Sequence, residues 1–135
     1  MVFMFLAIAA AAGAAGSIWI TKANATCRVW NQKAVAALGS HPTQPSTAAG
    51  MFKFMVKAQP LETGELRALR AIRAPRPVGA TKALGFVSID ITELNAGIAA
   101  YRAGNRTKFL QDVNIWQSDH RASRAFAAIG AKACE

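Results

Sequence analysis

Charge is missing from the first 21 residues, and negative charge is scarce throughout. The first ionisable side chain is Lys22, and all 16 Lys and Arg and all 7 Asp and Glu lie at or beyond it. The formal net charge of +9 therefore belongs wholly to the chain beyond the opening stretch. Cysteine is limited to Cys27 and Cys134, and histidine to His41 and His120. Residues so few and so scattered give no CxxC, CxxCH or HExxH spacing, which argues against a built zinc or haem site. The chain also lacks a GxGxxG or phosphate-cradling glycine loop, so the common nucleotide folds are disfavoured. No residue qualifies as catalytic, cofactor-binding or metal-ligating, no cofactor is expected, and the chain does not read as an enzyme.

What is present first is an apolar peg. Residues 1–20 read MVFMFLAIAAAAGAAGSIWI. A bilayer core of about 30 Å needs roughly 20 helical residues, and this run supplies them without a charge. Trp19 and Lys22 fall where an interfacial aromatic and a snorkelling cation would anchor such a helix. Residues 1–21 are thus expected to be a single transmembrane helix. From Ala9 to Ser17 nearly every residue is small, and small residues at four-residue spacing let helix backbones approach closely. Ala9, Gly13 and Ser17 form one such row, and Ala12 and Gly16 another, which predicts packing against other transmembrane helices. A secretory signal peptide is the rival reading, but it would need a positively charged start that this chain lacks.

Two signals disagree about which side of the membrane the rest occupies. Lys22, Arg28 and Lys33 flank only the C-terminal end of the peg, which favours retention in a cytoplasm or matrix. Cys27 and Cys134 bracket the domain, and a disulfide between them requires an oxidising compartment. Closing so long a loop is worth about 4–5 kcal/mol in an entropic account. The Asn-x-Thr triplets at Asn24 and Asn105 are read as coincidence.

The remaining chain, roughly 115 residues, suffices for one modest domain. Residues 22–38 continue as an amphipathic stem, with Val29, Trp30, Ala34, Ala37 and Leu38 at helical spacing and Gly39 as a stop. Residues 39–50, rich in Pro, Ser and Thr, read as a linker. Residues 51–135 are expected to form a small basic α+β domain, rich in helix but holding two short strands. The alternation of Phe52, Phe54 and Val56 predicts a strand over 51–58, and that of Val87, Ile89 and Ile91 a second over 84–91. Between them 61–74 reads as a helix stopped by Pro75 and Pro77. Thr92 or Asp90 is expected to cap a helix through Leu94, Ile98 and Tyr101 that Gly104 ends. From Thr107 onward the pattern is helical, and Ser118 could cap a separate last helix.

Four arginines, Arg67, Arg70, Arg73 and Arg76, recur every third residue. Such a stripe can be a solvated helix face, partly neutralised by Glu62 and Glu65, or can grip anionic phospholipid or an acidic partner. Nucleic acid is disfavoured because no aromatic platforms interleave with the basic residues. Ser118, Asp119 and His120 are adjacent, whereas triad members meet across a fold, so the run reads as a helix start. Asp90 and Glu93 read as capping residues rather than a working carboxylate pair.

These features fit a non-catalytic, single-pass accessory subunit of a multi-subunit membrane complex, such as an energy-transducing assembly of a mitochondrial inner or bacterial cytoplasmic membrane. Its partners would be other membrane subunits and anionic phospholipid. A hydrophobic half-helix continuing into an amphipathic half, topped by an α+β head with a C-terminal disulfide, also resembles a pilin-like filament subunit. That resemblance implies a homopolymer with the opening residues in its core. It departs at Phe5, since such subunits usually carry an acidic residue near the N-terminus. A secreted binding domain with a leader, and hence an extracellular location, is the third reading.

Overall fold

The computed structural model describes residues 3–40 and 45–135, with side chains from residue 16 onward. Within these residues all regular structure is helical and there is no strand. The elements are α1 (Phe3–Leu38), α2 (Ala48–Arg70), α3 (Ala80–Arg102), α4 (Arg106–Ser118), α5 (Arg121–Ala128) and a closing 3-10 turn, Lys132–Cys134. The expected α+β head is therefore wrong, and the pilin-like resemblance loses the head on which it partly rested.

Both supposed strands lie inside helices, for one physical reason. An eight-residue apolar window can satisfy a period of 2 and a period of 3.6 together, and only the longer context decides. Over 51–58 the buried positions are Met51, Met55 and Ala58, at helical spacing. Phe52 and Phe54 are half-buried on flanks of the same helix: Phe52 stacks on Tyr101 with ring centres 4.2 Å apart, and Phe54 faces Trp116 at 6.3 Å. Over 84–91 the run continues through Ala80, Ala83, Leu84, Leu94 and Ile98, a stripe 19 residues long that no strand would make. Tertiary burial there overrides the strand preference of Val87, Ile89 and Ile91. Gly79, not Thr92 or Asp90, stands at the N-cap of α3, with φ 93°.

Other boundaries move too. Thr47 caps α2 by accepting a hydrogen bond from the Gly50 amide at 3.0 Å, so the helix starts before the expected linker ends. It runs through the exposed Pro60 and stops at Arg70, short of the prolines assigned that task. The amide of Ala71 closes it on the Arg67 carbonyl at 3.1 Å. The last helix is indeed separate, but Ser118 ends α4 rather than capping α5.

The stem is part of the body rather than a stalk beneath it. Trp19, Ala23 and Cys27 of α1 lie in one buried cluster with Leu66 and Leu69 of α2, Ala80, Ala83 and Leu84 of α3, Phe126 of α5 and Ala131. A second cluster joins Met51, Met55, Ala58, Leu94, Ile98, Phe109 and Val113 of α2, α3 and α4. Each large apolar side chain so buried stabilises the fold by about 1.5–3 kcal/mol. Helix α3 is at the centre, packed on α2, α4 and α5. It is also the one helix among the described residues that is long and apolar enough to cross a membrane. The face carrying Ala80, Ala83, Leu84, Leu94, Gly97 and Ile98 is buried within the body.

Candidate functional site: a cationic end and an acid-lined cavity

The cysteines meet. Cys27 and Cys134 form a disulfide, with Cα atoms 5.2 Å apart across 107 positions of sequence. Asn24, one turn earlier on α1, reinforces the closure. Its Oδ1 accepts from the Ala133 amide at 2.8 Å, and its Nδ2 donates to the Gly130 carbonyl at 3.3 Å. Asn31 adds a donation to the Ala133 carbonyl at 3.0 Å. The asparagines of both Asn-x-Thr triplets thus have structural tasks, because Asn105 caps α4 by accepting from the Lys108 amide.

The anchor residues separate. Ala9, Gly13 and Ala12 have side-chain positions outside the described residues, as does most of the expected bilayer peg. Of the same two rows, Ser17 is exposed and Gly16 is buried. Gly16 faces the loop between α2 and α3, where a β-carbon on it would stand 3.2 Å from Pro77 Cβ. Trp19 is wholly inside the body, with its indole nitrogen unpaired, whereas Lys22 is exposed. The Lys22 ammonium reaches the Arg73 carbonyl at 3.5 Å. The loop 71–79 therefore runs alongside α1 between the levels of residues 22 and 16.

The arginine row does not form one helical stripe. Arg67 and Arg70 share the last turn of α2, while Arg73 and Arg76 project from the loop beyond it; all four are exposed. From Leu66 to Ile89 the chain has five cations, Arg67, Arg70, Arg73, Arg76 and Lys82, and no acid.

The acids gather elsewhere. A cavity of about 510 Å³ opens between α2, α3 and the α4–α5 corner. Met51, Phe54, Leu69, Val87, Trp116 and Phe126 give it apolar walls. Glu62, Glu65, Asp90, Asp119 and Glu135 also line it, five of the seven acidic residues in the chain. Burial lifts the Glu62 carboxyl from its ordinary 4.5 to about 7, helped by the charge of Asp90. Burial does the same to Glu65. Asp90 rises from 3.8 to about 7, through burial first and then its neighbours Asp119 and Glu93. One oxygen on each of Glu62, Asp90 and Glu93 is buried without a hydrogen-bond partner.

Asp90, Glu93 and Asp119 bring carboxylate oxygens within 4.8 Å of one another. Their counter-charge is Arg121, which grips Asp119 with both its guanidinium and its backbone amide and approaches Glu93 at 3.5 Å. That grip holds the Asp119 carboxyl well below the usual range. Asp90 and Glu93 thus lie in the body of α3 rather than at a cap. Beside them the Ser118–His120 run divides its tasks: Ser118 donates to the Ile115 carbonyl at 3.2 Å, Asp119 clamps Arg121, and His120 is exposed.

Sequence reasoning misses the cavity carboxyls because they interrupt, rather than create, a pattern. The buried and half-buried stripe of α2 runs 51, 55, 58, 62, 65–66, 69, and that of α3 runs 80, 83–84, 87, 90–91, 94. Glu62, Glu65 and Asp90 occupy apolar-face positions in these series. An acid on the buried stripe of a helix is the signal that finds them.

No protein-family model, curated protein or solved structure matches this chain.

Proposed function

We propose that this chain is a non-catalytic, membrane-anchored accessory protein of a multi-subunit membrane complex. Its uncharged opening helix would be the anchor and its helical head the contact surface for neighbouring subunits. The observation that carries this reading is the fastening of the head onto α1. Trp19 plugs the core, Asn24 clamps the C-terminal turn and the Cys27–Cys134 bond closes the ring. A head so fixed moves with its anchor as one rigid unit, which suits a bracket between subunits better than a domain on a flexible tether. The disulfide favours placing the head on the oxidising face of the membrane. The test is extraction of native membranes at alkaline pH, followed by crosslinking in mild detergent. The chain should stay with the membrane and crosslink to other subunits through residues 1–20. A chain released to the aqueous phase as a lone monomer would refute the reading.

A second reading is favoured by the cavity. Apolar walls with an unpartnered oxygen on each of Glu62 and Asp90 suit a ligand with an apolar body and a positive head, such as an alkylammonium ion or a lysine-bearing segment of a partner. Thermal protection by a series of alkylammonium ions separates the two. Protection that grows with chain length and fades below about pH 6, as the carboxyls take up protons, supports a binding module. Its absence across the series at about pH 8, where the carboxyls are ionised, removes that module.

A further inference from the structure

The most exposed large apolar side chain among the described residues is Val78, 98% accessible, about twice the next value. It stands on a stiff turn, between Pro77, which packs on Gly16, and Gly79, whose φ of 93° suits glycine alone. No other described residue covers it. Arg73 and Arg76 precede it on the same exposed loop, Arg70 and Lys82 belong to the adjoining ends of α2 and α3, and Lys22 of α1 reaches the Arg73 carbonyl. No acidic residue lies in this part of the chain, from Leu66 to Ile89.

The depth of this turn follows from α1. Contact with Gly16 puts Pro77 five residues, roughly 8 Å along the helix, inside the end of the uncharged stretch at Thr21. The headgroup zone on each side of a bilayer is about 5–8 Å thick. If residues up to Thr21 occupy the membrane and its interface, Pro77 lies at the boundary between headgroup and hydrocarbon. Arg73, whose carbonyl meets the Lys22 ammonium, then stands toward the outer edge of the headgroup zone.

We propose that the α2–α3 turn, residues 71–79, docks on an anionic bilayer surface, sinking Val78 into the acyl boundary while Arg73 and Arg76 bind headgroup phosphates. This rests on the membrane anchoring proposed above and adds a second point of attachment. Two attachments, one helix and one turn, would fix the tilt and rotation of the head on the bilayer, which a single helix leaves free. The cation-rich turn selects anionic over neutral lipid, because each arginine near such a surface multiplies the docked-to-undocked ratio by about fivefold.

The full chain, disulfide intact, is reconstituted into vesicles of phosphatidylcholine alone, or with about 30% phosphatidylglycerol to give a surface potential that attracts cations. An environment-sensitive fluorophore is placed on a single added cysteine at Val78→Cys or Phe5→Cys. Both positions are read against a quencher carried on the lipid chains. The Phe5 label should be quenched in both vesicles. The Val78 label should be quenched in the anionic vesicles, several-fold less in the neutral ones, and released by salt. Arg73→Glu with Arg76→Glu should cut the docked-to-undocked ratio at Val78 more than about tenfold, without changing helix content or the disulfide mass. A quenched Phe5 label beside a Val78 label that stays water-exposed in anionic vesicles overturns the docking and leaves the anchor standing. A Phe5 label that stays in water overturns the anchoring itself, and the docking with it.

Discussion

Trp30 on α1 and Gly64 on α2 are matched: a β-carbon at Gly64 would lie 2.2 Å from the tip of the Trp30 ring. The absence of a side chain at one position is what lets α1 and α2 approach at the other. Gly64→Ala must push the indole aside and should lower stability by about 1–2 kcal/mol. In a Trp30→Ala background the same change should instead stabilise, by up to about 1 kcal/mol, so a double-mutant cycle by chemical denaturation isolates the contact. Gly85 on α3 has open space around it, and Gly85→Ala should likewise stabilise by up to about 1 kcal/mol.

Opening the long covalent ring should be costly. Cys27→Ser with Cys134→Ser frees a loop of more than a hundred residues in the unfolded chain. The expected loss is about 3–4 kcal/mol, and the melting temperature should fall by on the order of 10 °C. A thermal scan with and without reductant, alongside non-reduced peptide mapping, checks both the bond and its worth. An unchanged melting curve on reduction would deny it any structural role.

Asn24 should behave differently from its neighbour Asn31, although both face the same turn. Asn24 answers a backbone donor and a backbone acceptor, whereas Asn31 is exposed and makes one bond. Asn24→Ala should cost about 1–2 kcal/mol because it leaves the Ala133 amide unanswered. Asn31→Ala should cost less than half of that in the same denaturation assay.

Stability should fall as the solution is made neutral from mildly acid. The raised carboxyls of Glu62, Glu65 and Asp90 keep protons in the folded chain that the unfolded chain has already released. Their contribution is complete below the ordinary carboxyl range near 4 and is lost as pH rises through about 7. Asp119, held low by Arg121, works in the other direction and withdraws support only as pH drops below its ordinary 3.8. For these groups together the optimum lies at about pH 4–5 by linkage. Glu62→Gln should flatten the slope and raise stability at about pH 8 by on the order of 1–2 kcal/mol. Urea midpoints measured from about pH 4 to about pH 8 cover both arms and test the sign directly.

Several features could be read from the chain before its fold was known. Gly39 as the stop of a long first helix and a separate last helix rest on local chemistry that tertiary structure did not override, and the Cys27–Cys134 pair follows from there being two cysteines in the chain. The strands failed because Phe52, Phe54, Val87 and Ile89 alternate over windows too short to distinguish a sheet from a helix covered on two sides. Trp19 was placed by its distance from Lys22, as membrane aromatics usually are, yet the body claims it, and no local pattern marks which face of α1 the head will cover. Bringing Glu62, Glu65, Asp90 and Asp119 together required two helices and a corner, a juxtaposition that spacing along one chain does not encode.

Because Phe126, Ala131 and Cys134 complete a core that Trp19, Ala23 and Cys27 share with α2 and α3, one side of the earliest helix stays open until the last one is made. A ribosome paused at residue 120 would carry a core still lacking Phe126 and Ala131, with Cys27 waiting for its partner thiol, a substrate for chaperones and oxidases. Biogenesis of this molecule is therefore a question of custody: the open side of the first helix has to be shielded for the time needed to translate the remainder.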